Sequence, residues 1–177
     1  STAQLSALES QQIQALETAD IWGMNPTQIG ALSTDQLSVM PNTLVPAIRP
    51  ASIAVLTSTQ LNNLTTGQIE SLVSDQVAAL STTQIQALET QDIAALGTQQ
   101  INKLSTAQVL ALTSAQVAAI ETADLRALTT AQIRALSMTA QLEHIHTWLL
   151  EQPLPVMFQL EKEHLSGSIQ ASDRRFQ

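Results

Sequence analysis

Residues 80–135 read LSTTQIQA, LETQDIAA, LGTQQINK, LSTAQVLA, LTSAQVAA, IETADLRA and LTTAQIRA, seven units of eight residues that differ only in detail. A unit this short cannot bury a core alone, so each must lean on its neighbours. The same register runs back to the first residue. An aliphatic side chain stands at every eighth position from Leu8 to Leu136, seventeen times without insertion or deletion. A second stands three places before each, from Leu5 and Ile13 to Ile133.

The period decides the fold class. Eight residues at about 100° each overshoot two full turns by roughly 80°, so in one continuous helix the Leu positions would spiral around the rod and form no stripe. The apolar steps alternate three and five and average four, which is too long for a coiled coil. In a strand, residues three apart point to opposite faces. A short helix that stops and restarts fits, since residues i, i+2 and i+3 then lie on or beside one face. The usual Ala just before each Leu, as at Ala79, Ala87 and Ala111, allows neighbouring units to approach closely.

Start signals recur at the same place in each octad. Ser81–Gln84, Ser105–Gln108 and Thr129–Gln132 have the form of a capping box, with a hydroxyl acceptor at the N-cap and a Gln three residues on that reaches back. Asn25 followed by Pro26 carries the same signal with proline at the first helical position. Where Glu17, Glu89 or Glu121 holds the first place, the following Thr is the expected cap. Residues 39–55 keep the register but lose the Gln and gain Pro41, Pro46 and Pro50; an irregular or extended kink is expected there.

These readings predict an all-α solenoid or superhelix of short capped helices over residues 1–136, with the Ile and Leu ladder inside and Thr, Ser and Gln facing water. Residues 137–165 are expected to be a C-terminal cap with helical character, and 166–177 a frayed tail.

Composition narrows the function. The aromatic residues are Trp22, Trp148, Phe158 and Phe176, so the core must be aliphatic, and charged residues are only 12%. The net charge of −8 leaves no basic stripe to neutralise phosphates, which argues against nucleic acid. Cysteine is absent, excluding disulfides and thiolate metal sites. No run of eighteen apolar residues exists, so membrane insertion is not expected. The sequence also lacks an initiating Met and a signal-like start, which is read as a chain beginning within a longer protein or after processing.

The octad Leu-Thr-Thr-Ala-Gln-Ile-x-Ala resembles tandem arrays in very large bacterial secreted or surface proteins of haemagglutinin-like or adhesin-like kind. The likeness covers residues 1–145. It implies a secreted or cell-surface spacer, fibre or binding surface, and carries over no catalytic residue.

Candidate sites are few. His144 and His146, with Glu143, form a His-x-His, but residues two apart point to different sides of a helix, and a metal would need a third ligand such as His164. Asp20, Asp92 and Asp124 replace Gln at the same octad place. One carboxylate per unit is thin for calcium, and a first-turn helix position accounts for them. Ser and Thr lack a His–Asp partner pattern or a nucleophile elbow. No catalytic, cofactor-binding or metal residue is therefore assigned, and an enzyme is not expected. Asn63-Leu64-Thr65 is a formal glycosylation sequon. Trp22 stands at a variable, outward place. Trp148 and Phe158 belong to the densest apolar patch outside the octads, suited to capping the solenoid. These three are the candidate partner contacts. The expected function is a structural stalk, fibre or adhesive segment that self-associates; the alternative is a binding module using a concave face for a protein or glycan.

Overall fold

The computed structural model describes residues 1–137; the expected cap, the histidines, Trp148 and Phe158 lie outside the described residues. Each of the seventeen octads forms one short element, sixteen α-helices and one 3-10 helix, from Thr2–Ser6 to Thr130–Ser137. No strand occurs among the described residues. The all-helical solenoid is the observed architecture.

Every helix starts the same way. The residue after the octad Leu is extended, as at Ser81 (φ −71°, ψ 161°), and the next opens the helix. Ser81, Ser105 and Thr129 each accept a hydrogen bond from the backbone N–H of the Gln three residues on, at 3.1, 3.2 and 3.3 Å. That Gln in turn accepts from the cap's own N–H, at 2.7 Å in all three. In the Glu octads the cap does not move to Thr: Glu17, Glu89 and Glu121 are themselves the N-caps. The backbone register thus overrides the side-chain preference for a hydroxyl.

The helix ends need no glycine. In most octads the Leu N–H closes on the Ile carbonyl three residues back, for example Leu64 to Leu61 at 3.0 Å and Leu104 to Ile101 at 3.2 Å. The chain then extends into the next cap. No described residue has a positive φ, so the left-handed C-cap that commonly stops a helix is not used here.

Helices that pack side by side are three octads apart: Thr82–Ala87 on Thr106–Ala111, Thr90–Ala95 on Ser114–Ala119, Thr106–Ala111 on Thr130–Ser137. Side-chain bonds cross 25 residues, as from Ser74 Oγ to the Gln99 carbonyl (3.1 Å), and 28–31 residues, as from Gln108 to Leu80 and Val77. One superhelical turn therefore holds three to four octads. Most of the Ile and Leu positions converge in one buried cluster that spans Ile13 to Leu136, with the half-buried Leu16, Leu125 and Leu128 packed against it. Ile13, Ile21, Ile29, Leu37, Ile53 and Ile69 are completely buried.

Gln does not face water, contrary to the sequence reading. Gln36, Gln60, Gln68, Gln76, Gln84, Gln100, Gln108, Gln116 and Gln132 are buried, Gln68 and Gln76 completely. Periodicity places Gln on the helix start, but the next turn of the superhelix covers it. Gln4 and Gln12, in the first described turn, are exposed.

The proline stretch also differs from expectation. Residues 42–47 form a 3-10 helix with Pro46 inside, and Pro50 opens the Pro50–Ile53 helix. The tighter i→i+3 pattern accommodates the lost donor of Pro46. Leu44, Val45, Ala47 and Ile48 stay buried, so the core passes through without a gap.

Because contact requires a partner three or four octads away, fragments of this chain should show a length threshold. A piece of three octads should be unfolded, since isolated helices of about 5 residues are far below the roughly 12–15 needed in water. A piece of eight octads should fold. Circular dichroism of the nested fragments checks this.

Candidate functional site

Two kinds of site stand out: the rungs that tie one turn to the next, and a groove at Trp22. The rungs come first, since they position everything else. In each of the nine buried Gln residues, Oε1 accepts from the N-cap backbone N–H of its own helix. Nε2 then donates to carbonyls of the turn before. Gln84 reaches Leu56 O at 2.7 Å and Ile53 O at 3.1 Å; Gln116 reaches Leu88 O and Ile85 O, both at 2.7 Å. These acceptors are helix C-terminal carbonyls that have no intrahelical partner or only a three-residue closing bond. One amide therefore caps the start of one helix and the end of another. The back-reaching half of this pair was legible in the capping-box spacing. The forward half was missed, because its partners lie 28–31 residues away and no local signal marks them.

The Gln half persists where the cap has no side-chain oxygen. Val73 N–H donates to Gln76 at 2.7 Å and Gly97 N–H to Gln100 at 2.6 Å. The amide, more than the hydroxyl, holds the register.

Four octads after the first turn break the rule. At residue 44 a buried Leu fills the place, and at residue 52 a Ser too short to reach across; the Ser52 hydroxyl is buried without a partner. Arg49 compensates at the second of these, its Nη2 donating to Met24 O at 2.6 Å, the carbonyl an amide at 52 would take. At 92 and 124 the place is Asp. Both are buried, 2% and 5% exposed, whereas Asp20 in the first turn is exposed and accepts from Glu17 N–H at 2.8 Å. Asp124 Oδ1 accepts from Thr98 Oγ1 at 2.6 Å, but Asp92 Oδ1 has no partner. Burial pushes the Asp92 carboxyl above its ordinary 3.8. The Glu89 backbone N–H opposes this with a smaller effect, and the Glu89 carboxylate adds to the rise. No group of three His, Asp or Glu among the described residues is placed to hold a metal ion.

The groove lies beside the proline stretch. Trp22, on the Thr18–Gly23 helix, is 60% exposed, the most exposed large apolar side chain among the described residues. The Arg49 guanidinium sits 5.9 Å from its ring centre, a cation–π distance. Thr18, Ala19, Trp22, Thr43, Pro46 and Ala47 line a shallow groove of about 550 Å³. Arg49 thus carries a rung and an indole together. A second shallow groove, about 390 Å³, is lined by Glu70, Leu96, Gly97, Thr98, Glu121 and Asp124 among others. Its chemistry is acidic and hydroxylic. No described helix is long and apolar enough to cross a membrane.

Comparison with known proteins returns one family. A family model described as the ALTTAQ repeat matches four times, at residues 13–47, 53–90, 85–120 and 117–147. No curated protein and no solved structure matches the chain.

Two substitution series test the site. Gln84→Ala strands Ser81 N–H and the Leu56 carbonyl, and should cost about 2–4 kcal/mol in denaturant unfolding. Gln84→Glu should cost at least as much at neutral pH, because a carboxylate then faces carbonyl oxygens. Separately, Arg49→Ala should cost about 1–3 kcal/mol through the lost bond to Met24. Trp22→Ala should stay within about 1 kcal/mol, since only an exposed cation–π contact is lost.

Proposed function

This chain belongs to the ALTTAQ repeat family, and on that premise we propose that it is a structural segment, a stalk, fibre or spacer, of a bacterial secreted or cell-surface protein. The observation that carries the reading is the extent of the core, whose buried cluster spans Ile13 to Leu136 with the proline stretch included and with the half-buried Leu125 and Leu128 packed against it. Stacking of this kind makes length proportional to repeat number, with stability the sum of unit and neighbour contributions. A Thr- and Ser-rich exterior whose few charges are mostly acidic suits a spacer that does not attract nucleic acid. The bacterial surface setting is drawn from the resemblance of the octads to adhesin-like arrays. The chain works by geometry and has no catalytic role in this reading.

Self-association of stacked faces is part of the proposal. Small-angle scattering and electron microscopy of the purified chain and of a tandem duplication test it. The duplicated chain should be about twice as long at unchanged cross-section, and particle length should grow with concentration. A compact particle of unchanged length would refute the stalk, and monomers at every concentration would refute the fibre.

A second reading rests on Trp22. An indole 60% exposed beside Pro46 and Ala47 is a contact point of the type used for a protein or glycan partner. In this reading the partner surface is the shallow groove at Trp22. Loss of binding in Trp22→Ala, with stability kept, is the result that favours it.

A further inference from the structure

The rung at position 92 differs from all its neighbours. In the rungs flanking it, Gln84 closes on Leu56 O at 2.7 Å and Gln100 on Leu72 O at 2.6 Å. By the same register, position 92 serves the carbonyls of Leu61 and Leu64. An ionised carboxylate there has acceptors only and can give them nothing. Asp92 is 2% exposed, its Oδ1 meets no donor, and the N-cap Glu89 makes no side-chain cap bond, so the Glu89 backbone N–H serves only the other side of the carboxylate. The acid is buried in the one place of the repeat where a donor is required.

We propose that Asp92 is a proton-operated catch between the 57–64 and 89–96 octads: neutral, its O–H supplies the donor that the rung lacks; ionised, it leaves the rung open and makes this the loosest seam of the column. The charged groups around it do not supply a substitute. Glu89 on its own octad and Glu70 on the packed Thr66–Glu70 helix are acidic. The packed Ser114–Ala119 helix and the 57–64 octad below carry no charge. The octad above holds Glu121, Asp124 and Arg126, and Asp124 is itself an acid at a Gln place. Two successive rungs of one column, 92 and 124, therefore lack the amide, and only the second has a hydroxyl partner, Thr98.

The sign of the pH effect follows from linkage. The folded-state pKa lies above the unfolded 3.8, so the folded chain binds the proton more tightly. The seam is tightest below 3.8, and its stability falls as pH rises through the window between 3.8 and the raised folded value. Each pH unit of that window corresponds to about a tenfold change in the opening equilibrium.

The test is hydrogen exchange with peptide resolution on the full chain, corrected for intrinsic rates, from about pH 4 to about pH 7. In the parent chain, protection of 57–64 and 89–96 should rise on acidification relative to 33–40 and 65–72, whose rung is closed by Gln68. Asp92→Gln should raise protection at neutral pH and abolish the pH-dependent difference. Asp92→Asn, nearly the same size, should also abolish the difference, while the exposed Asp35→Asn should leave it in place. Equal protection of the two seams at every pH in the parent, or an undiminished difference in both Asp92 variants, would overturn the catch.

Discussion

A carboxamide that accepts at one end and donates at the other is the contact on which this fold rests. A five- or six-residue helix leaves most of its backbone groups unpaired, and seventeen of them in series would leave too many for local caps to satisfy. The buried Gln settles the account twice over, taking an N–H from its own helix start and giving two hydrogens to the end of a helix one turn below. Glu offers two acceptors, Lys only donors, and Ser too short an arm. The need for both polarities within one planar group explains the residue type. Burial then makes the pairing strict, because an unmet amide in that position carries the full desolvation cost.

The rest of the octad follows from that rung. Ile and Leu, three apart, turn to the same side once the helix is held at both ends, and together they form a continuous aliphatic column. Ala or another small side chain before most of the Leu residues leaves room for the helix three octads away. Helix termination by the next turn's amide removes the need for a left-handed residue, which is why no described residue has positive φ. Hydroxyl caps are helpful additions: Val73 and Gly97 do without them and keep their place.

Departures from the rule cluster where the chain does something other than repeat. In the proline stretch the amide is absent at 44 and 52, a 3-10 helix carries the core across, and Arg49 reaches in to occupy one vacant carbonyl. The same guanidinium lies over Trp22, so the most prominent surface feature of the described chain is anchored by the repair of a missing rung. At 92 and 124 the acid in place of the amide keeps the burial and loses the donor. These four positions, 44, 52, 92 and 124, are where the buried amide shared by the other octads beyond the first turn is replaced.

Much of this was present in the order of the residues. The eight-residue spacing excluded a continuous helix, a coiled coil and a strand by arithmetic alone, and the Ser/Thr-x-x-Gln spacing located the helix starts at Ser81, Ser105 and Thr129. The all-helical solenoid and the passage of the aliphatic ladder through residues 39–55 needed nothing further. The burial of Gln was not legible, nor was the partnership of Gln84 with Ile53 and Leu56, nor the isolation of Asp92. Local sequence governs torsions over a few residues. How many octads complete a turn depends on the angle between successive short helices, and that angle is set by packing between units three and four places apart. Only when the turn closed was it decided which polar side chains lay between layers and which met water.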